Sequence, residues 1–106
     1  MNQIEWSGYT WITQEYWGKI HPDKAWNYYD DNAVYVGGDG LLHLRTQHNP
    51  AEIEHEGKIY NPEYGVGLVS CTKKFHFGYF EIEAKLPTGY ALWPAFWMYF
   101  TPIFLC

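Results

Sequence analysis

Residues 67–98 run GLVSCTKKFHFGYFEIEAKLPTGYALWPAFWM, and over much of this stretch polarity alternates residue by residue. Phe80, Ile82, Ala84 and Leu86 share one parity, and Tyr79, Glu81, Glu83 and Lys85 share the other. In a strand successive side chains point to opposite faces, so this pattern predicts a strand over 75–86 with one packed and one wet face. Pro87, Thr88 and Gly89 supply turn chemistry. A final strand is expected over 91–100, apolar on both parities, with a bulge or break at Pro94, which cannot donate to a ladder. Upstream, a strand is expected over 66–72, with Lys73 and Lys74 marking a short turn or bulge.

The same period extends toward the N-terminus. Val34, Tyr35 and Val36 form a short β-branched and aromatic run. Gly37, Gly38, Asp39 and Gly40 follow, and the three glycines are expected to supply positive φ for a tight turn. The run 41–46 then resumes a strand, with Leu42 and Leu44 on one face and His43 and Arg45 on the other, completing a hairpin. Residues 47–63 are polar and punctuated by Asn49-Pro50 and Asn61-Pro62, which predicts a long loop with at most one weak strand. The first 33 residues carry few periodic cues and read as ordered coil or an outer strand. Short strands, Gly/Pro turns and no helical period predict an all-β sandwich or barrel.

Six Trp, ten Tyr and six Phe in 106 residues are more rings than a small core needs. Surplus rings with polar tips tend to lie at binding surfaces, and the C–H faces of sugars stack on them. The competing reading is a small β core filled with large residues. A net charge of −5, from 7 basic and 12 acidic residues, provides no basic stripe for nucleic acid. The two cysteines, Cys71 and Cys106, form no framework and no metal-type CxxC pair. The opening residues lack the basic and apolar regions of a signal peptide, and the longest apolar run is far short of the ~20 residues a membrane span requires. A soluble chain of one domain, without an organic cofactor, is therefore expected.

Glycoside cleavage uses two carboxyl groups about 5–10 Å apart. Glu81 and Glu83, two apart on a strand, would lie roughly 7 Å apart, but on the wet face, where solvated surface acids are the default. Glu52, Glu54 and Glu56 have the same spacing in a polar loop and read as a charged loop tip. His21, His43, His48, His55 and His76 show no metal-ligand spacing and read as surface or hydrogen-bonding residues. The site candidates are Trp93 and Trp97, which share a parity with Ala95 and would form a sugar-stacking wall if the face bearing Pro94, Phe96 and Met98 is core. The alternative is a central strand with both faces buried.

The ordered match of residues 67–98 to G-L-I-S-S, then K-F-x-Y-G-x-F-E-x-R-x-K-x-P, then G-L-W-P-A-F-W, resembles glycoside hydrolase family sixteen. The Asp39-Gly40 hairpin resembles that family's D-G-x-L-x-L element. The resemblance implies an incomplete concanavalin-like β-sandwich (jelly roll) of two antiparallel sheets, one curved into a cleft. It implies retaining hydrolysis of a β-linked polysaccharide, either β-glucan or marine galactan, and an extracellular location. Trp93 and Trp97 carry over as cleft aromatics. The family's catalytic carboxylates sit on an E-x-D-x-x-E strand after W-P-A-F-W, and no acidic residue follows Glu83 here. No catalytic residue carries over. Glu52, Glu54 and Glu56 imitate the motif but precede Gly67, on the wrong side of it. Glu83 stands where the family often has Arg. No metal ligand set is visible.

Residues 1–106 are thus expected to be a partial domain lacking the C-terminal half and the catalytic strand. Half a jelly roll leaves strand edges and an apolar face exposed, so a marginal or aggregation-prone polypeptide is expected. A non-catalytic sugar-binding module of the same fold is the alternative, followed by a jelly-roll structural domain.

Overall fold

A computed structural model describes residues 2–90 and 92–98. The architecture is all-β: the described residues form ten short strands and no α-helix. Several small sheets make it compatible with an incomplete β-sandwich. The chain divides into two compact units, Met1–Lys74 and Phe75–Cys106.

In the first unit, β1 (Gln3–Trp6) and β2 (Tyr9–Ile12) form a hairpin whose other side carries β10 (Ser70–Cys71). Ser7 and Gly8, at φ 54° and 85°, give the turn two left-handed residues. That geometry matches the right-handed twist of the flanking strands. Trp6 and Trp11 meet on one face with ring centroids 6.1 Å apart, and Trp11 Nε1 donates to the Trp6 carbonyl at 2.9 Å. The predicted outer strand is therefore a paired hairpin.

The expected central hairpin forms as β4 (Val34–Val36) and β5 (Leu42–Leu44), registered Val34↔Leu44, Tyr35↔His43 and Val36↔Leu42. Its glycines divide the task differently from the expectation. Among Gly37, Gly38 and Gly40, only Gly40 takes positive φ, at 78°. Gly37 is needed for space, because a β-carbon there would sit 2.6 Å from Asp39 Oδ1 and 3.0 Å from His43 Nε2.

The third sheet has the order β3 (Asn27–Tyr29), β9 (Tyr64–Val66), β6 (Thr46–His48). β6 runs antiparallel to β9, but β3 runs parallel to it, with Asn27↔Tyr64 and Tyr29↔Val66. This one parallel pair departs from the wholly antiparallel pairing that the family resemblance implied. The loop expected over 47–63 contains a hairpin, β7 (Ile53–His55) and β8 (Lys58–Tyr60), turned by Glu56 and Gly57 at φ 51° and 80°. The strand expected over 66–72 is split between β9 and β10. The break falls at Gly67, whose added β-carbon would lie 2.5 Å from the Ala33 carbonyl oxygen and 2.9 Å from the Arg45 nitrogen. Only glycine permits that backbone approach as the chain passes from one sheet to the other.

The core is small and polar-laden. Ile20, Tyr28, Ala33 and Val34 are buried, and so are Thr13, Glu15 and Asp30. Of the described rings only Tyr28 is buried, so the aromatic surplus does not fill the core.

In the second unit, residues 75–90 and 92–98 contain no strand. The strand expected over 75–86 is not formed, nor is its successor over 92–98; residues 91, 99 and 100 of that expectation lie outside the described residues. Alternation states which side chains would share a face. It supplies no partner, and a strand's N–H and C=O groups are satisfied only by a neighbouring strand. Phe75 and Phe80 meet edge to face at 5.3 Å, and Tyr79 Oη donates to Glu81 Oε2 at 3.0 Å.

Candidate functional site

Trp93 is 82% exposed and Trp97 is 52% exposed. Both indoles are open to a ligand, as a sugar-stacking role requires and a doubly buried central strand does not. The parity argument behind them fails in its other half. Phe96 and Met98, assigned to the core face, are 52% and 60% exposed, so neither face of 92–98 is buried. The described residues of the second unit therefore present accessible Trp rings and no strand of their own.

The acidic candidates behave as solvated groups. Glu81 and Glu83 are exposed, as are Glu52, Glu54 and Glu56. Glu54 lies on β7 and Glu56 in its turn, with Glu56 Oε1 4.0 Å from His55 Nε2. The histidines serve local contacts. His21 Nδ1 accepts from the Asp23 amide at 3.2 Å, capping a 3-10 turn at Pro22–Lys24, while its ring meets Trp17 edge to face. His43 stacks on Tyr35 with ring centroids 4.6 Å apart and planes 3° from parallel. Its Nε2 lies 3.3 Å from Asp39 Oδ2. His48 packs edge to face on Tyr64, and His76 on Phe77. Among the described residues no group of three His, Cys, Asp or Glu side chains could hold a metal ion. Cys71 is a half-buried free thiol; Cys106 lies outside the described residues. Among the described residues no helix is long and apolar enough to cross a membrane.

The best-organised polar cluster is one that sequence reasoning did not single out. Asp30 follows β3 and is 4% exposed. Its Oδ1 accepts from the Asn32 amide at 2.9 Å, capping the 3-10 turn Asp31–Ala33. Its Oδ2 accepts from Asn49 Nδ2 at 2.9 Å and Gln47 Nε2 at 3.1 Å, with Tyr28 Oη at 3.4 Å. The single phenol proton of Tyr28 goes to the nearer Asn49 carbonyl, at 2.8 Å. Burial pushes the Asp30 carboxyl up, but the hydrogen bonds from Asn49, Gln47 and Asn32 outweigh it and hold it below the usual aspartate range. Burial, followed by the Asp30 charge, pushes the Tyr28 phenol up.

Beside this cluster, Asp31 accepts from Thr13 Oγ1 at 2.7 Å and pairs with Lys19 Nζ at 3.5 Å. Burial raises its carboxyl, and the Thr13 bond and the Lys19 charge contribute to a net lowering. A general acid wants a raised value and room for substrate. Asp30 has neither. It is ionised, saturated with donors and enclosed, which makes it a clamp between β3, β6 and β9. The local signal was faint: Asn27 to Asp30 and Gln47 to Asn49 become neighbours only through β9.

No family model matches the chain, and no solved structure is a significant match. Curated proteins do match. A 64-residue stretch is 41% identical to a protein named beta-glucanase from Rhodothermus marinus, covering 59% of this chain and 20% of that protein. The chain is similar to a glucan-cleaving enzyme. A 67-residue stretch is 33% identical to glucan endo-1,3-beta-glucosidase A1 of Niallia circulans, covering 61% of this chain and 10% of that protein. The chain thus spans about a fifth and a tenth of the lengths of these two curated relatives. The similarity agrees with the glycoside-hydrolase character implied by residues 67–98 and is drawn from the glucan side of the expected substrates.

Proposed function

We propose that this chain is part of a glycoside hydrolase domain of family sixteen whose whole protein cleaves a β-linked polysaccharide with retention. The substrate is β-glucan in preference to marine galactan. The observation that carries this reading is the similarity to two relatives both named for glucan chemistry, at 41% and 33% identity. The ordered motif of residues 67–98 supports the family, and the exposed indoles of Trp93 and Trp97 support a sugar-stacking role for those side chains.

Retention needs one carboxylate as nucleophile and a second as acid and then base. In this chain the exposed Glu81 and Glu83 precede the Trp93–Trp97 motif, and no acid follows it. On this reading the 106-residue chain binds glucan and does not hydrolyse it. A non-catalytic sugar-binding module is the second reading, supported by the exposed indoles of Trp93 and Trp97.

The test measures reducing-end release and Trp fluorescence on laminarin, lichenin, agarose and carrageenan. The expected result is quenching by the β-glucans with no release of reducing ends. Hydrolysis by the purified chain would refute the assigned inactivity, and absence of quenching by any of the four would refute the glycan reading. In a longer polypeptide carrying this stretch, an E-x-D-x-x-E strand after Trp97 supports the enzyme; its absence, with glucan binding retained, supports the binding module.

A further inference from the structure

We draw no further inference here: the strongest candidate, the surface patch of exposed apolar side chains that includes Phe77, Ile82, Leu86 and Leu92, carries nothing, because nothing in the structure shows what covers it.

Discussion

Gly65 lies so close to the buried Asp30 carboxylate that a β-carbon at position 65 would overlap both Asp30 Oδ2 and Asp30 Cβ. Gly65 is the centre of β9 and pairs with Tyr28 on one side and Gln47 on the other. The missing side chain is what lets the carboxylate reach across the sheet to Gln47 and Asn49. Gly65→Ala should therefore destabilise the first unit by about 1–3 kcal/mol, the usual cost of overpacking a filled site. Chemical denaturation of the variant beside the parent chain measures this; an unchanged midpoint would show that the carboxylate can move aside.

Acid should unlock the same clamp. The Asp30 carboxyl is held below its ordinary value in the folded chain, so the unfolded state binds the proton more readily. Its stabilisation is complete above the unfolded value of about 3.9 and is lost as pH falls through the lower folded value. Asp31 and Asp39 are also lowered, and they act in the same direction. Stability measured between pH 6 and pH 2 should fall most steeply below pH ~4. Asp30→Asn should flatten that slope while lowering stability at neutral pH. An identical pH profile for the variant would remove Asp30 as a contributor.

The 37–40 turn offers an internal comparison. Gly38 has ordinary φ and open space, Gly40 has φ 78° with open space, and Gly37 is crowded by Asp39 and His43. Gly38→Ala should be neutral within about 0.5 kcal/mol, and Gly40→Ala should cost about 1–2 kcal/mol of left-handed strain. Gly37→Ala should displace His43 from its contact with Asp39, seen as a change in the His43 ring resonances by NMR. Equal effects at Gly38 and Gly40 would contradict the turn geometry.

Phe77 and Tyr79 are 84% and 85% exposed, and Ile82 and Leu86 are 56% and 61% exposed, on a segment whose alternation suits a strand. Unpaired, strand-competent apolar segments associate edge to edge. Sedimentation velocity should show concentration-dependent self-association of the chain, and Ile82→Lys with Leu86→Lys should reduce it. A monodisperse monomer with a cooperative thermal transition would count against this.

Trp93→Ala and Trp97→Ala should each weaken β-glucan binding by about fivefold to thirtyfold, equivalent to ~1–2 kcal/mol of stacking. Fluorescence titration of the remaining Trp residues reads this directly. Full affinity in the double variant would place the sugar contact elsewhere.

The hairpin at 34–44 was legible because its information is local: alternating residues, a glycine turn and partners no more than ten residues apart suffice. The β7–β8 hairpin was not, because Glu56 and Gly57 lack the Asn-Gly or Asp-Gly signature that usually marks such a turn. The parallel pairing of Asn27–Tyr29 with Tyr64–Val66 left no mark on either segment. Trp93 and Trp97 stood out because two indoles of one parity four residues apart are conspicuous, whereas the Asp30 clamp is assembled from ordinary polar residues distant in sequence.

By itself the sequence determined the β character of the chain, the turn at 37–40 and the glycoside-hydrolase-like motif, since side-chain alternation, glycine freedom and residue order are properties of the linear chain. Tertiary structure decided which strands pair, that the Asp30 carboxylate is buried and charged, and that 75–86 has the alternation of a strand without being one. The physical reason is that a strand satisfies its backbone through another strand, and no residue carries a record of which one.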